Sequence, residues 1–81
     1  MSQVSVRLFA GAAEAFGGSE AVIEEARDLA GLITELAAED PRLREVLEQC
    51  SFFIDGEHHR SLDAALPDGS RVDVLPPFAG G

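Results

Sequence analysis

The sequence ends on Val74, Leu75, Pro76, Pro77, Phe78, Ala79, Gly80 and Gly81, and its most distinctive chemical group is the carboxylate expected on Gly81. Two glycines carry no side chain, so a terminal carboxylate behind them fits down a tunnel too narrow for any other residue pair. Leu75 precedes a proline and is held extended, while Pro76 and Pro77 stiffen the chain as it leaves the preceding strand. From Pro76 to Gly81 the chain spans about 20 Å when extended, enough to enter a cleft on a neighbouring protein. The spacing points to an arm that carries its own end group into a partner.

Other candidates for chemistry are weaker. His58 and His59 are adjacent. On a strand they point to opposite faces and cannot both ligate one ion without a bulge, so no metal site is expected. Glu24, Glu25, Asp28, Glu39, Asp40, Glu45 and Glu48 are spread over element ends and helix faces, the pattern of a solvated surface rather than of an acid–base pair. Cys50 is the single cysteine. With no neighbouring cation or second thiol to stabilise a thiolate, it reads as core lining. Residues 11–18 are bounded by glycines but lack the spacing and the lysine of a phosphate-binding loop, and no Ser-His-Asp arrangement is present. The chain is a poor candidate for a self-contained enzyme.

At 81 residues the chain has room for one domain with one small core. Its 46% apolar and 26% charged residues suit a folded globular unit. No hydrophobic leader or spanning run is visible, so a cytoplasmic location is expected. A lone cysteine excludes an internal disulfide, leaving packing as the source of stability. The net charge of −9 repels phosphates and anionic headgroups, so neither nucleic acid nor membrane is an expected partner; a protein with a basic groove is. Every cation is an arginine, at positions 7, 27, 42, 44, 60 and 71. The chain therefore offers no lysine amine to an acylating group, although codon preference accounts for the same composition.

Apolar periodicity supplies the elements that must position the arm. Val4, Val6, Leu8 and Ala10 alternate with Ser5, Arg7 and Phe9, predicting a half-buried strand over residues 4–10. Gly17 and Gly18 close an enlarged loop leading to a second, antiparallel strand over residues 19–25. Leu29, Leu32, Ile33, Leu36 and Ala37 recur at helical spacing behind Asp28 as cap, predicting a main helix that ends near Glu39. Asp40 and Pro41 open a shorter second helix carrying Leu43, Val46, Leu47 and Cys50 on one side. Residues 51–56 form a third strand running into a turn, residues 57–62 a short edge strand, and residues 66–70 a turn into a last strand over 71–75. The fold class is α+β: a mixed five-stranded sheet packed on one main helix and one shorter helix. The domain covers residues 1–75 and the extended tail residues 76–81. First and last strands sit centrally and parallel, which places Phe9 and Leu75 together on the solvent side, with Phe53 joining them if Phe52 and Ile54 turn inward. Scattered surface hydrophobes are normal, but a patch of that kind beside the tail shifts the reading toward a docking surface.

The stretches VRLFAGAAEAFG (residues 6–17) and LPDGSRVDVLPPFAGG (residues 66–81), with the element order between them, resemble the MoaD/ThiS family of ubiquitin-like sulfur carriers over the whole chain, most closely the branch serving molybdopterin synthesis. The resemblance implies a β-grasp roll and chemistry on Gly81. An E1-like adenylyltransferase uses ATP to adenylate the carboxylate, a persulfide protein supplies sulfur, and a C-terminal thiocarboxylate results. It implies that no cofactor is bound by the chain itself, and that the active site belongs to the large subunit of molybdopterin synthase, with this chain as the non-catalytic donor. By position Gly81 carries the sulfur and Gly80 gives it passage, while Phe9, Leu75, Pro76, Pro77, Phe78 and Ala79 meet the partner. Where relatives present an apolar contact on the fourth strand, this chain has His58 and His59. The same carrier chemistry serves thiamine thiazole or cysteine synthesis in other branches, and a ubiquitin-like binding module without chemistry is the remaining alternative.

Overall fold

The computed structural model describes residues 3–77. Phe78, Ala79, Gly80 and Gly81, and with them most of the expected tail, lie outside the described residues. Strand β1 (Gln3–Leu8) alternates as expected, burying Val4, Val6 and Leu8 and exposing Gln3, Ser5 and Arg7. It pairs antiparallel with β2 (Glu20–Glu24) and parallel with β5 (Arg71–Leu75). β3 (Ser51–Ile54) pairs antiparallel with β5 and with β4 (Glu57–His59), giving the strand order β2-β1-β5-β3-β4. The first and last strands are thus parallel neighbours inside the sheet, and the three-residue β4 lies at an edge.

The first strand stops at Leu8, short of the expected Ala10, and the connection to β2 differs from the open loop expected there, because Ala10–Phe16 forms a helix, α1, with Ala10 exposed at its start. Alanine is the best helix former, and this segment has a use for one: Ala12 is buried and Phe16 packs on the core, so a short, thin helix covers the sheet end closely. It stops at Gly17, whose φ of 90° is left-handed, and the N–H groups of Gly17 and Gly18 both donate to the carbonyl of Ala13.

Helix α2 (Leu29–Ala37) shows why its N-terminus falls where it does. The amides of its first turn have no partner within the helix, and each finds one outside it. Leu29 and Ala30 donate to the carbonyls of Ala64 and Leu62, at 3.2 and 2.8 Å, and Gly31 donates to the Asp28 carboxylate at 2.8 Å. The same bonds fasten the long connection before β5 to the helix. Its buried side, Leu29, Leu32, Ile33, Leu36 and Ala37, joins Val4, Val6, Leu8, Phe52, Val72 and Val74 in one core. Removing a side chain such as Leu32 from that core costs about 2–5 kcal/mol.

Helix α3 (Pro41–Glu48) is capped by Asp40, whose carboxylate accepts from the amides of Arg42 and Leu43, with Pro41 in the first turn where a missing N–H costs nothing. Leu43 and Leu47 are buried, and Val46 and Cys50 are half-buried. Two capped helices with almost nothing between them require a sharp reversal. α2 therefore ends at Ala37, before Glu39, and Ala38 takes φ 51° and ψ −117°, a conformation that suits glycine. Among the described residues no helix is long and apolar enough to cross a membrane.

Relief of that strain outweighs the entropy glycine adds to the unfolded chain. Ala38→Gly should therefore raise stability by about 1 kcal/mol, read as a higher urea midpoint at unchanged slope. A lower midpoint would show that the reversal is unstrained.

Candidate functional site

β5 lies in the middle of the sheet, so the chain departs toward its last residues from a strand flanked on both sides. Pro76, the first residue past β5, is buried, and Pro77 is exposed within a turn. Leu8 pairs with Val74, and the N–H of Phe9 donates to the carbonyl of Val74 at 3.1 Å. Phe9 and Leu75 therefore emerge side by side at the same end of the sheet. Phe9 is 38% exposed and Leu75 half-buried. Phe52 and Ile54 turn inward, which puts Phe53 on the outer face opposite Asp73. The three apolar residues expected to gather beside the tail share one face.

That face holds more than apolar side chains. Arg7 and Asp73 are paired across β1 and β5, and the guanidinium grips the carboxylate with two bonds, Nε–Oδ1 at 3.0 Å and Nη2–Oδ2 at 3.2 Å. These hydrogen bonds, then the carboxylate's charge, raise the Arg7 pKa further above its usual value. The Arg7 guanidinium also lies 5.6 Å from the centre of the Phe9 ring, within cation–π range. On the other side His58 stacks on Phe53 with ring centres 4.9 Å apart. The outer face thus runs from Phe9 through the Arg7–Asp73 pair to Phe53 and His58. Val22, on β2 opposite Ser5, adds a further exposed apolar residue at 59%.

Neither ion pair nor stack was legible in the sequence. Arg7 and Asp73 stand 66 positions apart, and only the register of β1 on β5 brings them together. The alternation of β3 and β4 settles the histidines. His58 pairs with Phe53 and His59 with Phe52, so they lie on opposite faces, and the His59 ring lies 3.3 Å from the Glu57 carboxylate. His58, not His59, is the fourth-strand residue on the outer face with Phe53.

Cys50 packs against the core, and its thiol donates to the carbonyl of Val46. Burial pushes its pKa up, away from reactivity. Its reaction with iodoacetamide should be slower than that of a free thiol at pH 8 and should approach the free rate as urea unfolds the chain. Equal rates in the native protein would contradict the burial.

The family model described as the ThiS family matches residues 6–81. The chain belongs to the ThiS family. That makes it a ubiquitin-like sulfur carrier of the MoaD/ThiS type, and the β-grasp roll implied by its end motifs is the fold observed. It is 33% identical, over 98% of its length and 99% of the relative's, to the molybdopterin synthase sulfur carrier subunit of Chlamydomonas reinhardtii. Among solved structures it is similar to small archaeal modifier protein 1 of Methanosarcina acetivorans, with a TM-score of 0.82 at 26% identity, covering 100% of this chain and 98% of that one. A complex of subunits 1 and 2 of the molybdopterin-converting factor from Helicobacter pylori includes a chain matching this ThiS-family member at 29% identity and TM-score 0.68, covering 98% of this chain and 99% of that one.

Proposed function

We propose that this chain is the sulfur-carrying small subunit of a molybdopterin synthase in the cytoplasm, working through a thiocarboxylate on Gly81. The observation that carries the reading is the end-to-end match to the algal sulfur carrier subunit. The subunit 1–subunit 2 complex of the bacterial converting factor supports a large-subunit partner. A carboxylate oxygen of Gly81 attacks the α-phosphorus of ATP on an E1-like enzyme, and pyrophosphate leaves. The terminal sulfur of a persulfide then attacks the acyl carbon and expels AMP. A thiol cleaves the resulting acyl disulfide, leaving the sulfur on Gly81 as thiocarboxylate. The large subunit supplies the active site where that sulfur attacks the pterin precursor.

This chain's contribution is placement. The outer face docks, and Gly80 and Gly81 pass where side chains cannot. A docking face that buries a lone charge is costly, and here the central guanidinium already has its carboxylate. The likeness to an archaeal modifier protein favours a second reading, in which an amine of another protein takes the activated Gly81 carbonyl.

Mass spectrometry after incubation with ATP, an E1-like enzyme and a persulfide donor should show one oxygen exchanged for sulfur at Gly81. No exchange sinks the thiocarboxylate reading, and an amide-linked adduct to a second protein selects the modifier reading. A residue added after Gly81 should leave the fold intact and abolish the exchange. Phe9→Ala should weaken binding to the large subunit about 10-fold, or about 1.4 kcal/mol, with the melting temperature little changed. Unchanged affinity would move the docking surface elsewhere.

A further inference from the structure

The sheet has two edges, and they differ. β4 offers three residues, whereas β2 offers five, with Val22 at its centre more exposed than Phe9. The pairing of β2 with β1 fixes which of its backbone groups are used. Leu8 donates to the carbonyl of Ser19 at 2.9 Å, so in the alternating ladder the bonded pairs are Leu8 with Ser19, Val6 with Ala21 and Val4 with Ile23. The N–H and C=O groups of Glu20, Val22 and Glu24 therefore point off the sheet, and among the described residues no loop or helix backbone takes them. The side chains of the same three residues are exposed in one row, while Ala21 and Ile23 turn toward the core. Open space flanks the strand on both faces: a hollow of about 480 Å³ over Ser5, Glu20 and Val22, and one of about 750 Å³ over Ile23, Glu25 and Glu35.

Charge selects what pairs there. A second copy joined edge to edge about Val22 would set each Glu20 against a Glu24, and like charges directly opposite on neighbouring strands repel. A strand with Lys or Arg at those two places meets opposite charge at both. Neither glutamate is in an ion pair among the described residues: Arg7, across from Glu20, gives its guanidinium to Asp73, and Glu24 stands across from Gln3. On the inner side of the edge Glu25 and Glu35 add charge of the same sign. Between the glutamates, Val22 favours a β-branched apolar residue opposite it. An edge built only for defence would carry charge at its centre, and this one carries valine.

We propose that the β2 edge receives an extended segment of another protein, in which Lys or Arg stands two residues before and two residues after a β-branched apolar residue. The segment pairs as an added strand through the backbone of Glu20, Val22 and Glu24. Main-chain bonds hold it, and the two glutamates set its register and exclude acidic strands. The surface uses neither the tail nor any chemistry on Gly81, so it stands independently of the proposed function.

The test is amide NMR on the full chain titrated with a capped peptide of core RTVTR. The amides of Glu20, Val22 and Glu24 should shift and gain protection from hydrogen exchange, while Phe53 and His58 stay in place. Glu20→Gln combined with Glu24→Gln, both at exposed positions, should weaken binding about 10-fold. The same peptide with its valine N-methylated keeps its charge but lacks the N–H opposite Val22, and should lose the β2 shifts. No β2 shift at millimolar peptide would overturn the proposal. Equal binding by the N-methylated peptide would also overturn it, since charge alone would then account for the contact. So would β2 shifts that grow with protein concentration in the absence of peptide, because those give the edge to a second copy.

Discussion

The parallel pairing of β1 with β5 is the contact on which the rest of the molecule depends. It joins the two ends of the described chain, Ser5 to Arg71 and Leu8 to Val74, and every functional placement is read from that register. The inward residues of the two strands, Val4, Val6, Leu8, Val72 and Val74, are buried almost completely, so a slip of one residue would turn each of them to solvent. The outward residues inherit the same precision. Arg7 meets Asp73 and Phe9 emerges beside Leu75 only in this register. The pairing closes a loop of more than sixty residues, an entropy cost that the shared core of α2, α3 and the strands must offset. The chain runs on to its last residues from a strand held on both sides rather than from a sheet edge.

The outer face resolves a conflict between docking and charge. A chain with net charge −9 gains long-range attraction to a basic partner, which speeds encounter and weakens with salt. Contact itself favours apolar surface, and Phe9, Leu75 and Phe53 supply it. The one cation among them is balanced in place by Asp73, and it doubles as a cation–π partner of Phe9, which limits the ring's freedom before any partner arrives. The His58 stack does the same for Phe53. Attraction and contact are thus assigned to different residues of the same small domain.

Much of this was legible in the residues. Strict alternation in β1 and β5, Asp28 and Asp40 as caps, and Pro41 at a helix start gave the strands, two helices and the core, since each rests on local chemistry that tertiary structure did not override. Helix α1 was hidden because its seven residues, Gly11 among them, carry too short a period to read, and its stability comes from packing Ala12 and Phe16 rather than from length. The end of α2 was misplaced because the reversal is made at Ala38, a residue whose type does not announce a positive φ. The Arg7–Asp73 pair and the Phe53–His58 stack depend on strand register, which a single sequence does not contain. The tail was conspicuous in the sequence.

The described domain also bears on where the chemistry must lie. A sulfur relay within it would need a thiol that ionises readily, yet Cys50 is part-buried, bonded to the Val46 carbonyl and driven toward its protonated form. The two histidines face opposite ways, one stacked on an aromatic ring and the other beside Glu57, and do not converge on a common atom. The exposed nucleophile such a relay requires is therefore not Cys50. Under the proposed function, partner contact falls to Phe9, Arg7, Phe53 and His58 on the sheet and the sulfur chemistry to Gly81, so that the two would be separable by substitution.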